Sequence, residues 1–472
     1  MQTNQNRFVY LDNIRNFLVY NVVLLHIIMM FAHPISFWWA VIDKEGSSRI
    51  YETAVSSMAI YLMPCLLFIA ALFIFPSLKK VTPLEYIKNR FLRLYMPVIV
   101  FLFCAGDIHY QLLLKRLNSV PPTYLETFLN LWRSFLNIPG IYLTGSEKSL
   151  NAVTFNFQHT WFLTFLFFVT LIVVVVSLPF KRKSSEPKEV DGRKIIILQT
   201  ILLATAIGIF YAATMVYYSM LGITPGPFLI IGKVVSFPNH QVWVLLPLFL
   251  FGLYAYRKEW LTRGNIGSWQ LWGTMAFVFL ALYVLLQYTG CVPAIEEMMK
   301  VAEHNRLFDN KMPRPPMSLS TQLTFLGTYL LEPLACIFLL MFFLSFAKRF
   351  FNKPNAITTF CSKHSINVYV IHLIPVFILQ FTFMNVPITP IMKIVLMTII
   401  VVPACLWLSH RLVYPYPKIA IAFFVALKLA AFAAGFTFYY YALLSLIFIS
   451  FVGAVYESAR FMVAQKDGLK PA

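Results

Sequence analysis

Apolar runs of about twenty residues recur along the chain, parted by short polar loops in which Lys and Arg gather. A helix of that length crosses the hydrocarbon of a bilayer. The pattern predicts spans over residues 14–38, 54–76, 94–113, 157–179, 194–220, 240–256, 269–290, 320–347, 365–384 and 389–410. A further apolar block, 418–456, is too long for one span, and Gly435 near its middle predicts a hairpin, for eleven or twelve spans in all. The expected fold class is all-α, a polytopic helical bundle of ten core spans (residues 1–410) with an additional C-terminal hairpin and tail (411–472). No internal repeat and no soluble domain is visible. Two outer loops, 114–156 and 291–319 with its MPRPP, are long enough to shape a lid or an acceptor groove.

Composition agrees: the 472 residues are 59% hydrophobic and only 12% charged, more apolar surface than a soluble domain can hide. The net charge of +19 does not signal a nucleic-acid partner, because the basic residues do not share one domain. They fall between spans, where they set topology and touch membrane lipids. With the N-terminus in the cytoplasm, the inner loops hold Lys79, Lys80, Lys88, Arg90 and Arg93, then Lys181 to Lys194, then Arg257, Lys258 and Arg263, then Lys348 to Lys363. They are denser in positive charge than the outer loops, as the positive-inside rule expects. Arg460, Lys466 and Lys470 favour an inside C-terminus, hence the hairpin. The first helix lacks the marks of a cleaved signal and is expected to be retained. The six cysteines are scattered, with no disulfide framework and no metal-ligand spacing, so no metal is expected.

Chemistry concentrates first in Tyr10–Pro34, where an apolar run carries Asp12, Arg15, His26 and His33. At about 100° per residue, Arg15, His26 and His33 share one stripe, with Arg15 and His26 roughly 16 Å apart along the axis. Ionisable groups at membrane depth are costly unless paired or facing water, which makes them functional candidates; a snorkelling Arg and a hydrogen-bonded core His are the plainer alternative. Thr82, Pro83 and Glu85 have the pattern of a capping box opening a helix. Arg90 and Arg93 then share a face before the third span, spaced for capture of phosphate, from a ligand or from lipid alike. His159 and Trp161 stand at the outer end of the fourth span, the His facing the extracytoplasmic side and the Trp an interfacial belt residue. Ser365, Tyr369 and His372 line one face of the ninth span, as a relay or a structural hydrogen-bonded pair. Glu332, a further intramembrane carboxylate, receives no role. No Gly-rich phosphate loop and no serine-nucleophile elbow is present.

In this order the elements resemble the acyltransferase 3 superfamily, most closely its glucan-biosynthesis protein C branch. The Leu-Asp-x-x-Arg opening with a His eleven residues on is Leu11, Asp12, Arg15 and His26. The Arg-x-x-Arg-Leu-x-x-Pro element is Arg90, Arg93, Leu94 and Pro97. His159, Trp161, Phe162 and Leu163 match His-x-Trp-Phe-Leu, and Ser365, Tyr369 and His372 match Ser-x-x-x-Tyr-x-x-His. Residues 237–261 resemble the branch's sixth span. The likeness covers about 10–410; Ala70-Ala71 departs from a common Ser-Gly, and the block from 418 lies beyond the pattern.

The resemblance implies transfer of an acyl group from cytoplasmic acyl-CoA (acetyl-CoA or succinyl-CoA) to a hydroxyl of an extracytoplasmic glycan, in the cell inner membrane. The acceptor would be a periplasmic glucan or a cell-surface polysaccharide. It implies His26 as general base, Asp12 orienting Arg15, and Arg15, Arg90 and Arg93 at the CoA phosphates. Tyr369 and His372 would polarise the carbonyl or fix the acyl chain, and His159 and Trp161 would face the sugar. The competing class is a secondary transporter or flippase, for which paired broken-helix repeats are the usual sign, and none is found.

Overall fold

The apolar runs fold as the helices they predict. The computed structural model describes residues 8–32, 39–116, 123–137, 141–143, 157–178, 192–221, 228–261, 264–298 and 317–466, without the side chains of 142, 143 and 461–466. His33, Arg263, most of the 181–194 linker, the MPRPP of the outer loop and Lys470 lie outside the described residues. Among the described residues, eight helices are long and apolar enough to cross a membrane, or ten if each of two bent pairs is one span. The shorter Val242–Arg257 keeps the place of the sixth expected span. This is an all-α, multi-pass membrane bundle.

The C-terminal block turns back at Gly435, whose φ of 87° suits glycine and interrupts the helix Pro417–Lys466. Phe424 and Leu443, from its two halves, line one small crevice, and Glu457 returns to accept from Arg411 Nε at 2.8 Å. The hairpin is therefore present.

Two of the expected spans are bent. Ala356–Ile371 and Leu373–Phe383 meet at 60°, with His372 at the corner. Pro375 explains the break, since it has no N–H for Ile371 O and its ring crowds that carbonyl. Pro83–Ala105 and Ile108–Arg116 meet at 42° around Gly106 and Asp107. Thr82 Oγ1 accepts from Glu85 N at 3.3 Å where the first of these begins, as the cap pattern predicted.

One small sheet was not foreseen. Strands Ile141–Leu143, Phe228–Ile231 and Val235–Pro238 pair antiparallel in that order, with Gly232 and Lys233 at positive φ in the turn between the last two. It packs on the helix Trp161–Ser177 through Phe165 and Phe237, whose ring centroids are 5.2 Å apart.

Small residues let helices meet closely where lipid supplies no hydrophobic drive. A Cβ on Gly252 would lie 2.6 Å from Phe68 O and 2.8 Å from Ala71 Cβ, so Val242–Arg257 and Arg49–Leu72 touch backbone to backbone there. Gly252→Val is expected to cost about 1–3 kcal/mol through overpacking. The check is the thermal midpoint of the purified protein, and an unchanged midpoint would contradict the contact.

Candidate functional site

Three histidines from three distant stretches converge. His26 stands near the end of the first helix, His159 on the short 3-10 turn Gln158–Thr160, and His372 at the corner of the ninth span. Their ring centroids are 5.1 Å (His26–His372), 4.9 Å (His159–His372) and 6.0 Å (His26–His159) apart. All three are buried, His26 being 8% exposed.

The hydrogen bonds assign the protons. His372 Nδ1 lies 2.8 Å from Tyr369 O and 3.1 Å from Val368 O. Carbonyls only accept, so Nδ1 carries the proton and Nε2 holds the lone pair. His26 Nδ1, 2.9 Å from that Nε2, is then the donor, which leaves the lone pair of neutral His26 on Nε2. His159 Nε2 donates to Tyr369 O and Val370 O, both at 3.1 Å, and its Nδ1 has no hydrogen-bond partner among the described residues.

His26 is held from behind. Trp39 stacks on its ring at 5.5 Å and 8°, and Trp39 Nε1 donates to Gln380 Oε1 at 2.9 Å. Gln380 Nε2 returns to His26 O at 2.8 Å. The 39–48 loop that carries Trp39 is pinned by a buried ion pair, Lys393 Nζ to Asp43 Oδ2 at 2.7 Å.

In front lies a cavity of roughly 2700 Å³. Its mouth is basic, with Arg15, Lys79, Lys80, Arg90, Arg93 and Lys363 on the wall. Along the helices that line it the wall turns apolar, from Arg15 to Val19 and from Arg93 to Phe101, and Leu163, Leu166, Phe162 and Tyr369 line it too, with Cys104 and Ile374 beyond. Phe101 and Tyr369 are ring neighbours of His159, at 4.7 and 5.7 Å, so one layer of side chains separates the cavity from the histidines. The helix opens into a π turn at Phe91–Tyr95, yet Arg90 and Arg93 both face the cavity.

Asp12 and Arg15 pair as the sequence suggested, Oδ1 to Nη2 at 3.0 Å, and Arg15 Nη2 also donates to Ser362 Oγ at 2.6 Å. His159 differs from expectation: it is enclosed by Phe101, His26 and His372 rather than turned to the outer side, because the 3-10 turn folds it inward. Trp161 is likewise buried, against Phe162 and Phe228, and is not an interfacial belt residue. The rings of Tyr369 and His372 lie 6.0 Å apart, but their side chains hydrogen-bond elsewhere. Tyr369 OH donates to His159 O at 2.7 Å, and His372 uses the Tyr369 carbonyl. Sequence reasoning passed over Trp39, Gln380, Asp107 and Lys428, the last three being polar interruptions of apolar runs and readable as such.

What the arrangement can do chemically is move a proton. Imidazoles with assigned lone pairs stand one layer of side chains away from a cavity whose wall is rich in Arg and Lys. The family model of the acyltransferase domain matches residues 8–410. No curated protein and no solved structure matches the chain. This multi-pass membrane protein belongs to the acyltransferase 3 family, and is an acyltransferase.

Proposed function

We propose that the chain is an O-acyltransferase of the cell inner membrane. It takes an acetyl or succinyl group from cytoplasmic acyl-CoA and delivers it to a hydroxyl of an extracytoplasmic glycan, such as a periplasmic glucan or a cell-surface polysaccharide. The observation that carries this reading is the cavity running from Arg15, Arg90 and Arg93 to Phe101 and Tyr369, the ring neighbours of His159, which itself stands against His26 and His372. A donor with a polyphosphate head and a thin apolar arm suits that gradient from basic mouth to apolar depth. The mouth faces the cytoplasm, as the basic loops favour.

His26 acts as general base through Nε2, taking the acceptor hydroxyl's proton as its oxygen attacks the thioester carbonyl. His372 accepts from His26 Nδ1–H and so holds the tautomer that keeps Nε2 free, while favouring the imidazolium that forms. The proton leaves His26 for the departing thiolate, giving ester and free thiol. Asp12 and Ser362 fix Arg15, whose guanidinium meets phosphate together with Arg90 and Arg93. Tyr369 and His372 shape the end of the acyl pocket, and His159 and Trp161 stand beside it on the acceptor's approach.

The test is mass analysis of envelope glycans from a deletion strain with and without the wild-type chain. An acyl increment that returns only with the chain is expected, its mass naming the acyl group and its carrier the acceptor. If no glycan changes mass, a transporter or flippase takes the place of the transferase.

A further inference from the structure

The C-terminal hairpin, beyond the matched residues 8–410, sends a charge into the bundle. Lys428 interrupts the apolar run FFVALKLAAF. Its Nζ donates to Asp107 Oδ2 at 2.5 Å and to Tyr124 OH at 2.6 Å, and Tyr124 OH donates to Asp107 Oδ1 at 3.1 Å. The side chains of Lys428 and Asp107 are both 0% exposed. The rings of Tyr124, Phe128, Phe432 and Tyr439 lie 4.2–5.4 Å from the ammonium.

Asp107 is the residue at which the third span breaks. Its neighbour Gly106 accepts from Gln158 Nε2 at 2.5 Å, and Tyr439 OH of the hairpin donates to Cys104 O at 2.6 Å. Gln158 directly precedes His159 and takes a left-handed φ of 47°, a conformation that needs outside support. A continuous set of contacts thus runs from Lys428 through Asp107 and Gly106 to Gln158 and the backbone of His159. Packing a hairpin does not require a buried ion pair, which costs desolvation that apolar residues would not.

We propose that Lys428 is a positioning residue for acyl transfer: by holding the Gly106–Asp107 break it sets where His159 stands beside His26 and His372. The C-terminal hairpin is then part of the transferase and not an appendage. This rests on the reading of the three histidines as the reacting centre.

The experiment uses the full-length protein. Lys428→Met leaves Asp107 buried and unpaired, so it loses both melting temperature and transfer. Lys428→Met with Asp107→Asn leaves no uncompensated charge; its melting temperature and its stabilisation by coenzyme A, the probe for the basic mouth, return to near wild type. Its kcat with the CoA thioester named by the glycan increment stays about tenfold to a hundredfold low with donor KM unchanged, the effect of a small misplacement at the centre. A double variant that recovers kcat together with melting temperature overturns the proposal, because the pair is then structural only. Should the double variant fail to fold, Gln158→Leu decides: it leaves the ion pair intact and is expected to lower kcat similarly, and wild-type kcat overturns the proposal. Full transfer by His26→Ala is a separate result, which removes the reacting centre itself and the proposal with it.

Discussion

His26→Ala lowers acyl transfer by about 10²–10⁴-fold, the range a positioned general base supplies, while the protein reaches the membrane in wild-type amount. The size of the effect follows from the tautomer chain. Val368 O and Tyr369 O hold the proton of His372 on Nδ1, His372 Nε2 holds the proton of His26 on Nδ1, and the basic lone pair of His26 is on Nε2. Alanine removes that lone pair and leaves Trp39 and Gln380 in place behind the vacancy. His372→Gln is the companion variant. Its amide oxygen can still accept from His26 Nδ1–H, so the loss should be nearer tenfold, the tautomer being held less firmly. The measurement is the fraction of envelope glycan carrying the acyl increment per molecule of membrane protein. Wild-type transfer by His26→Ala would take the base role from His26 and, with it, the reading of the three histidines as the reacting centre.

The bundle was largely legible because a membrane span announces itself by length and polarity alone, and even the hairpin at Gly435 followed from an apolar block of twice the usual length. The first helix was legible for the same local reason: Arg15 and His26 share a stripe whatever surrounds them, and Asp12 one turn before Arg15 pairs with it. The convergence of His159 with His26 and His372 was not legible. Periodicity relates residues within one helix and is silent about which helices meet, and the FNFQHTW boundary read as an exposed end because nothing local shows that a 3-10 turn folds it inward. The bend at His372 had a local sign in Pro375 that span-counting passed over. Lys428 and Gln380 had signs as well, since a polar residue within an apolar run needs a partner; their partners, Asp107 and Trp39, lie more than three hundred residues away in the chain.

Arg90→Gln combined with Arg93→Gln raises the donor KM by about a hundredfold and leaves kcat nearly unchanged. Each guanidinium facing the cavity mouth offers charge-assisted hydrogen bonds, which contribute about 1.5–3 kcal/mol apiece to an anionic partner. The ground state and the transition state share the phosphates, so the loss is uniform binding and appears in KM. Arg15 is the poorer position for this experiment. It is tied to Asp12 and Ser362, and its removal would loosen the first helix from the ninth span as well as weaken phosphate binding. Arg93 lies within electrostatic reach of Arg15 and Arg90, whose repulsion Asp12 offsets in part, and rising salt should weaken donor binding in the wild type more than in the double variant. Sealed inside-out membrane vesicles are the system of choice, because only there is the donor offered to the face on which the basic loops are expected. An unchanged KM in those vesicles would mean that Arg90 and Arg93 serve lipid phosphates, and that the donor's head is held elsewhere on the cavity wall.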